Sequence, residues 1–207
     1  MIGHYKLITV THKALNTEDL EHFLIKHRGD EDLVSKLESL KKSYDQDEIM
    51  YISTCNRVIY FLYGAKSLSE ENMTDFFKSV NPQLEKSPTD LRKIIRSYEG
   101  VEAVRHLMEV ASSIDSLVVG EREIFRQVRE AYEFSKRHKL SDDFLRIVNQ
   151  AVVKAAKDVY TNTAIGAKPV SVASLAVQEF LKRDLDRSSV ILLIGAGETN
   201  SLSLIHI

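Results

Sequence analysis

Residues 48–63 read EIMYISTCNRVIYFLY. Two β-rich runs, Glu48–Ser53 and Val58–Tyr63, flank the tetrad Thr54-Cys55-Asn56-Arg57. Isoleucine, valine and aromatic residues at this density suit strands, and the polar tetrad between them reads as a turn. Upstream, Tyr5–Thr11 reads as an earlier strand, with Leu7, Ile8 and Val10 apolar. In between, Asn16 can cap a helix beginning near Glu18, with Leu20, Phe23 and Leu24 on one face. A charged helix follows from about Glu31 to Lys42, and Ser67 or Ser69 can start another beyond the second β-run. This β-α-β order, followed mainly by helix, predicts an α+β domain: a small βαβ-type sheet with a helical bundle.

From Asp90 onward the periodicity is helical. Val104, Leu107, Met108 and Ala111 form one apolar stripe. Ile124, Val128, Ala131, Tyr132 and Ser135 form a second, on a helix opening near Gly120. Phe144, Val148, Ala151, Val152, Ala155 and Val159 form a third. Such i, i+3, i+4 patterns call for core packing and need no functional explanation. The pattern breaks at Gly166–Pro169, and Ser171 can cap a further helix through about Lys182. The continuous apolar run Val190–Ile194 then suits a strand buried on both faces. The domain boundary is expected between about Thr161 and Ser171.

Composition excludes several classes. Of 207 residues, 43% are hydrophobic and 28% charged, which argues against collagen-like, disulfide-rich and wholly disordered chains. No apolar run approaches the ~20 residues of a bilayer span. The opening MIGHYKLITVTH lacks the pattern of a secretory signal. The single cysteine has no internal disulfide partner, and a reducing, cytoplasmic setting is expected. A net charge of −2 gives no global basicity, although local clusters such as Arg126 with Arg129 and Lys154 with Lys157 are compatible with phosphate contacts.

Four constellations could carry chemistry. Gly195-Ala196-Gly197 follows the apolar run, and glycines there let a backbone turn tightly against a pyrophosphate; Asn200 stands where the usual fingerprint has a third glycine. Cys55 taken alone reads as a small buried hydrophobe. Its place in a polar turn, two residues from the cation Arg57, favours a reactive thiolate. Without a second cysteine, acyl transfer fits it better than disulfide exchange, and a zinc site is not expected. His106 falls off the Val104–Ala111 stripe, so it reads either as a solvated helix histidine or as a proton donor or acceptor. Finally, Asp115–Glu123 leads into a helix on which Glu123 and Gln127 lie one turn apart, either as ligand contacts or as a solvated helix start.

In this order the segments resemble glutamyl-tRNA reductase, the family that opens tetrapyrrole (porphyrin and haem) synthesis from glutamate. The resemblance rests on Ser53-Thr-Cys-Asn-Arg57, on His106 in Arg-His-Leu-Met, and on Ala111-Ser-Ser-Ile-Asp-Ser-Leu-Val-Val-Gly-Glu121. It continues through Glu123-Ile124, Gln127-Val128, Ser171-Val-Ala-Ser and Gly195-Ala-Gly-Glu-Thr199. It spans the chain from about Leu7 to Asn200. Two departures are Ile59, where the family often has an acidic residue, and Arg122-Glu123, where it commonly has Pro-Gln.

The resemblance implies an NADP-dependent oxidoreductase. Cys55 would attack the ester of glutamyl-tRNA, forming a thioester that NADPH reduces to glutamate-1-semialdehyde, the precursor of 5-aminolevulinate. His106 would join Cys55 as a catalytic residue. Thr54, Cys55, Asn56, Arg57, Ser116, Glu121, Arg122, Glu123 and Gln127 would contact substrate. Gly195, Ala196, Gly197, Glu198, Thr199 and Asn200 would begin a Rossmann-like NADPH site, and no metal is implied. A homodimer and handover of product to glutamate-1-semialdehyde aminomutase are implied partners, with no membrane. The expected domains are a catalytic, substrate-binding domain over 1–160, then a linker helix and the first strand and phosphate loop of a truncated Rossmann-like α/β domain over 161–201. Residues 202–207, LSLIHI, read as a translated sequencing adapter and are set apart from the fold. Hydride transfer is not expected from these 207 residues alone. Two other readings are an inactive glutamyl-tRNA-binding regulatory relative and an unrelated dinucleotide-binding protein.

Overall fold

Four strands carry the domain: β1 (Tyr5–Thr11), β2 (Glu48–Ser53), β3 (Arg57–Tyr63) and β4 (Arg96–Glu99). In the computed structural model, which describes residues 1–86, 90–166 and 172–182, they form one sheet in the order β2-β3-β1-β4. Every ladder is antiparallel: Tyr5 pairs with Tyr63, Glu48 with Tyr63 and Lys6 with Glu99 at one end of the sheet. β1 and β2 therefore run parallel to each other with β3 inserted between them. The expected βαβ unit is present in this split form, and no pair of neighbouring strands is parallel.

Helices cover both faces. They are α1 (Thr17–Leu20), α2 (Asp30–Ser43), α3 (Glu70–Val80), α4 (Leu91–Ile94), α5 (Val101–Ala111), α6 (Glu123–Arg137), α7 (Asp143–Asn162) and α8 (Val172–Leu181). Asn16 and Ser69 cap α1 and α3 by accepting from the Asp19 and Asn72 N–H groups, as their residue types predict. Ile8, Val10, Ile49, Val58, Tyr60 and Leu62 pack with Leu37 of α2 and Phe76 and Phe77 of α3. Leu7, Met50, Ile52, Ile59, Phe61 and Tyr63 pack with Leu107 of α5, Val128 of α6 and Val148 and Val152 of α7. Each such large apolar side chain contributes about 1.5–3 kcal/mol on burial. With both faces covered, all seven residues of β3 are buried, Arg57 among them.

Three sequence expectations change. Arg96–Glu99 is a strand inside the region read as helical. It is a polar edge, mostly exposed and paired only with β1, so it carries no apolar alternation. The buried face of α5 is Ala103, His106, Leu107, Val110 and Ala111, rotated from the expected stripe; Val104 and Met108 lie at its margin. On α7 the buried residues are Leu145, Val148, Val152 and Ala156, while Ala151 faces solvent. The Ser171 cap, the apolar run Val190–Ile194, the Gly195–Asn200 loop and residues 202–207 lie outside the described residues.

One carboxylate ties the second helical layer to the sheet. Glu48 of β2 is buried, and its oxygens accept from the backbone N–H groups of Asp142 (2.7 Å), Phe144 (3.0 Å) and Leu145 (2.9 Å) at the start of α7. Those donors have no partner within the helix, and the helix dipole also favours an anion there. Glu48→Ala removes the acceptor for all three donors, of which the Leu145 N–H is buried and the other two partly so, and is expected to lower unfolding stability by about 2–3 kcal/mol. Glu48→Gln, which keeps an acceptor oxygen, should cost less; urea denaturation midpoints measure both.

Candidate active site

The Thr54–Arg57 turn is built by its own threonine. The Thr54 N–H donates to the Arg57 carbonyl at 2.9 Å, closing the β2–β3 connection. The Thr54 hydroxyl oxygen accepts from the N–H groups of Asn56 (3.2 Å) and Arg57 (3.1 Å). This hydroxyl replaces strand pairing at the tip and shapes the loop. The turn presents Cys55, which is exposed. The end of β1 lies against it: the His12 N–H donates to the Asn56 carbonyl at 2.9 Å, and His12 Nδ1 lies 3.2 Å from the same oxygen.

Arg57 points the other way from what its spacing to Cys55 suggests. Its side chain is only 2% exposed, and Nη1 lies 3.2 Å from Asp115 Oδ2. Nη2 donates to the Asp115 backbone carbonyl, and Lys13 pairs with the same carboxylate from the solvent side. The guanidinium is thus committed to Asp115, and an incoming carboxylate would share or displace that partner. Burial pushes the Asp115 carboxyl upward, but the Lys13 hydrogen bond and the Arg57 and Lys13 charges outweigh it, and its pKa falls below the ordinary carboxylate value.

His106 joins this group from α5, and it is buried rather than solvated. Its ring stacks on Tyr98 of β4 at 4.3 Å and 16°. Nδ1 lies 3.5 Å from Glu109, and Nε2 lies 3.9 Å from Asp115 Oδ2. Nε2 is buried without a hydrogen-bond partner among the described residues. Burial lowers the His106 pKa, with Arg57 acting in the same direction against Asp115 and Glu109. The neutral ring is therefore favoured.

Asp115 sits in a loop held shut at its base. Ser113 adopts a left-handed backbone (φ 58°), and its hydroxyl accepts from the Gly120 N–H at 3.1 Å. Gly120 has φ +93°, and a Cβ there would stand 3.1 Å from the Ile165 carbonyl oxygen, so glycine fits where other residues strain. Ser116 follows Asp115 and is half-buried. Beyond Gly120, the Tyr160 hydroxyl of α7 donates to the Glu121 carbonyl at 3.3 Å, and Arg122 stacks over the Tyr160 ring at 5.4 Å. Gln127 donates to Glu123 at 3.1 Å, as their one-turn spacing predicts, and Arg126 also binds Glu123.

The sequence-predicted residues therefore form two groups. Arg57 and His106 meet at Asp115, with Thr54, Cys55 and Asn56 in the turn just before Arg57, whereas Glu121, Arg122, Glu123 and Gln127 cluster at the start of α6. No hydrogen bond or ion pair among the described residues joins the two groups directly. Sequence reading missed His12, Lys13, Tyr98 and the carboxylate role of Asp115. His12 and Lys13 follow the end of β1 and Tyr98 lies on the edge strand β4, whereas Asp115, in the loop between α5 and α6, carries no such signal. The cofactor residues Gly195–Asn200 lie outside the described residues.

The depressed His106 pKa fixes a pH dependence. The unfolded chain takes up the proton first as pH falls through about 6.5, so stability should drop with acidification until the lower folded value is reached. One such group contributes a slope of at most about 1.4 kcal/mol per pH unit. His106→Gln should flatten urea stability over this window. The Asp115 contribution is lost separately, as pH falls through its depressed carboxyl value.

Comparison with known proteins places this arrangement. The family model described as "Glutamyl-tRNAGlu reductase, N-terminal domain" matches residues 8–163. The glutamyl-tRNA reductase of Pseudomonas fluorescens (strain Pf0-1) is 40% identical over 181 residues, covering 86% of this chain and 41% of that protein. That of Syntrophus aciditrophicus (strain SB) is 34% identical over 204 residues, covering 97% of this chain and 47% of the relative. The solved structure of glutamyl-tRNA reductase from Methanopyrus kandleri superposes with a TM-score of 0.68 at 30% identity, covering 99% of this chain and 47% of that one. The chain spans less than half the length of each of these relatives. This chain therefore belongs to the glutamyl-tRNA reductase family, its residues 8–163 matching that family's N-terminal domain.

Proposed function

We propose that this chain carries the acyl-transfer half of glutamyl-tRNA reduction, with Cys55 as nucleophile. The observation that supports the reading most is the exposure of the cysteine at the tip of a turn built around it. The Cys55 thiolate attacks the ester carbonyl carbon linking glutamate to the tRNA 3′ end. The carbon–oxygen bond to the ribose breaks, the ribose oxygen takes up a proton, and a thioester to Cys55 remains. A thioester carbonyl accepts hydride more readily than an ester carbonyl, which is the chemical reason for the detour.

The charged group beneath the turn suits the substrate. Asp115 lies between Arg57, Lys13 and neutral His106, and Glu109 meets His106 from the other side of the ring. The exposed end of that group is Lys13, so a carboxylate arriving from solvent meets a cation first. Arg57 then offers the planar fork that carboxylates prefer. Thr54 and Asn56 act as substrate contacts through the turn they form, and Ser116 beside Asp115 completes this side. Glu121, Arg122, Glu123 and Gln127 border the substrate from the start of α6. His106, buried against Tyr98, orients this group or moves a proton within it.

The reductive half would need a nicotinamide cofactor: Gly195, Ala196, Gly197, Glu198, Thr199 and Asn200, which lie outside the described residues, would hold NADPH, and it would supply the hydride that turns the thioester into glutamate-1-semialdehyde. A homodimer and passage of the reactive aldehyde to glutamate-1-semialdehyde aminomutase complete the proposal, which places the protein in the cytoplasm at the first step of tetrapyrrole synthesis. Among the described residues no helix is long and apolar enough to cross a membrane.

Transfer of labelled glutamate from glutamyl-tRNA to the protein tests the reading. The wild-type chain should release free tRNA and hold glutamate as a thioester cleaved by neutral hydroxylamine. Cys55→Ser should slow tRNA release by on the order of 10⁴-fold. Unchanged release by that variant would remove Cys55 from the mechanism.

A further inference from the structure

The outer face of α6 forms a groove of ≈ 460 Å³ lined by four arginines: Arg122, Arg126, Arg129 and Arg137. Their charges are not equally available. Arg126 is neutralised by Glu123 and Glu130, which also uses up those two carboxylates. Arg122, Arg129 and Arg137 have no carboxylate partner among the described residues. Arg122 and Arg129 instead stack on the rings of Tyr160 (5.4 Å) and Phe125 (5.9 Å). Of the lining carboxylates only Glu133 stays outside an ion pair, so the groove presents three free cations against one free anion.

We propose that this groove docks the phosphodiester backbone of RNA, the acceptor arm of the tRNA whose 3′ end reaches the candidate site. The inference rests on the acyl-transfer reading above and adds a surface to it. Two observations favour RNA over an acidic peptide. The free guanidiniums run from Arg122 to Arg137, about 22 Å along the helix, a length along which several phosphates of a strand would lie. Two of them lie over aromatic rings and keep their N–H donors free of carboxylates for phosphate oxygens. The groove also begins at Arg122, beside the candidate substrate contacts Glu121, Glu123 and Gln127. The chain's net charge of −2 hides this patch from composition.

The test compares wild type with R129E/R137E and R129Q/R137Q, which lie outside the acyl-transfer machinery. Acylation of Cys55 is followed against glutamyl-tRNA concentration at several salt concentrations, and against p-nitrophenyl acetate, an ester without phosphates. The half-saturating glutamyl-tRNA concentration should rise on the order of tenfold in R129E/R137E near physiological salt. The slope of log affinity against log salt should fall by about 2 in magnitude in both variants. Acylation by p-nitrophenyl acetate should not change. Unchanged half-saturation and salt slope in both variants would overturn the proposal. So would competition by polyglutamate but not by uncharged tRNA, which would assign the groove to an acidic polypeptide. If glutamyl-tRNA fails to acylate wild type while p-nitrophenyl acetate succeeds, the acyl-transfer reading falls instead. Binding of uncharged tRNA to the three proteins then decides the groove by the same affinity and salt criteria.

Discussion

A guanidinium inside a sheet covered on both faces is the constraint from which the rest of the site follows. β3 is central, and its first residue, Arg57, is only 2% exposed at the side chain. A buried charge without a partner costs several kcal/mol, so some anion must reach it. Asp115 does so from a loop 58 residues later, with its carboxylate and with its backbone carbonyl. That requirement fixes the path of the chain between α5 and α6. Ser113 and Gly120 close the loop's base, and Tyr160 and Arg122 hold its exit. Once Asp115 is placed, Lys13 and His106 find it from β1 and α5. The exposed cysteine turn then sits above a preformed charged cluster.

The same double coverage explains how the fold supports that cluster. The layer of α2 and α3 and the layer of α5, α6 and α7 press on the sheet from opposite sides. Glu48 locks the second layer by capping α7, and the Ile49 N–H to Leu140 carbonyl bond at 2.9 Å joins β2 to the residues just before it. Rigid supports on both faces let short turns, rather than mobile loops, carry the reactive residues. This suits a reaction in which a thiolate must meet one carbonyl carbon in a defined orientation.

Much of this was legible in the sequence, and the exceptions have physical causes. Strands β1, β2 and β3 announce themselves through apolar residues such as Leu7, Ile8 and Val10, Ile49–Ile52 and Val58–Tyr63, which burial on both faces requires. The caps Asn16 and Ser69 are local chemistry and read directly. β4 escapes because an exposed edge strand of Arg-Ser-Tyr-Glu has no apolar face to signal it. The burial of His106 escapes because α5 buries a wide face, and a helical wheel drawn through Val104 and Met108 puts the histidine on its margin. Arg57 was legible as a site residue through its place beside Cys55, yet its partner was not. Asp115 is distant in sequence, and only the folded path brings a carboxylate to a particular guanidinium. The α6 groove is the complementary case. Its arginines are visible as a cluster, but which of them are free depends on which carboxylates Arg126 consumes.

The central claim is that the Arg57–Asp115 pair, acting as one unit, organises the site that Cys55 serves. A double-mutant cycle read out on the rate of Cys55 acylation by glutamyl-tRNA tests it most directly. Arg57→Gln and Asp115→Asn should each slow acylation, and the double variant should be no slower than the worse single variant, within about twofold. Rate losses that multiply in the double variant would show two independent contributions and contradict the account.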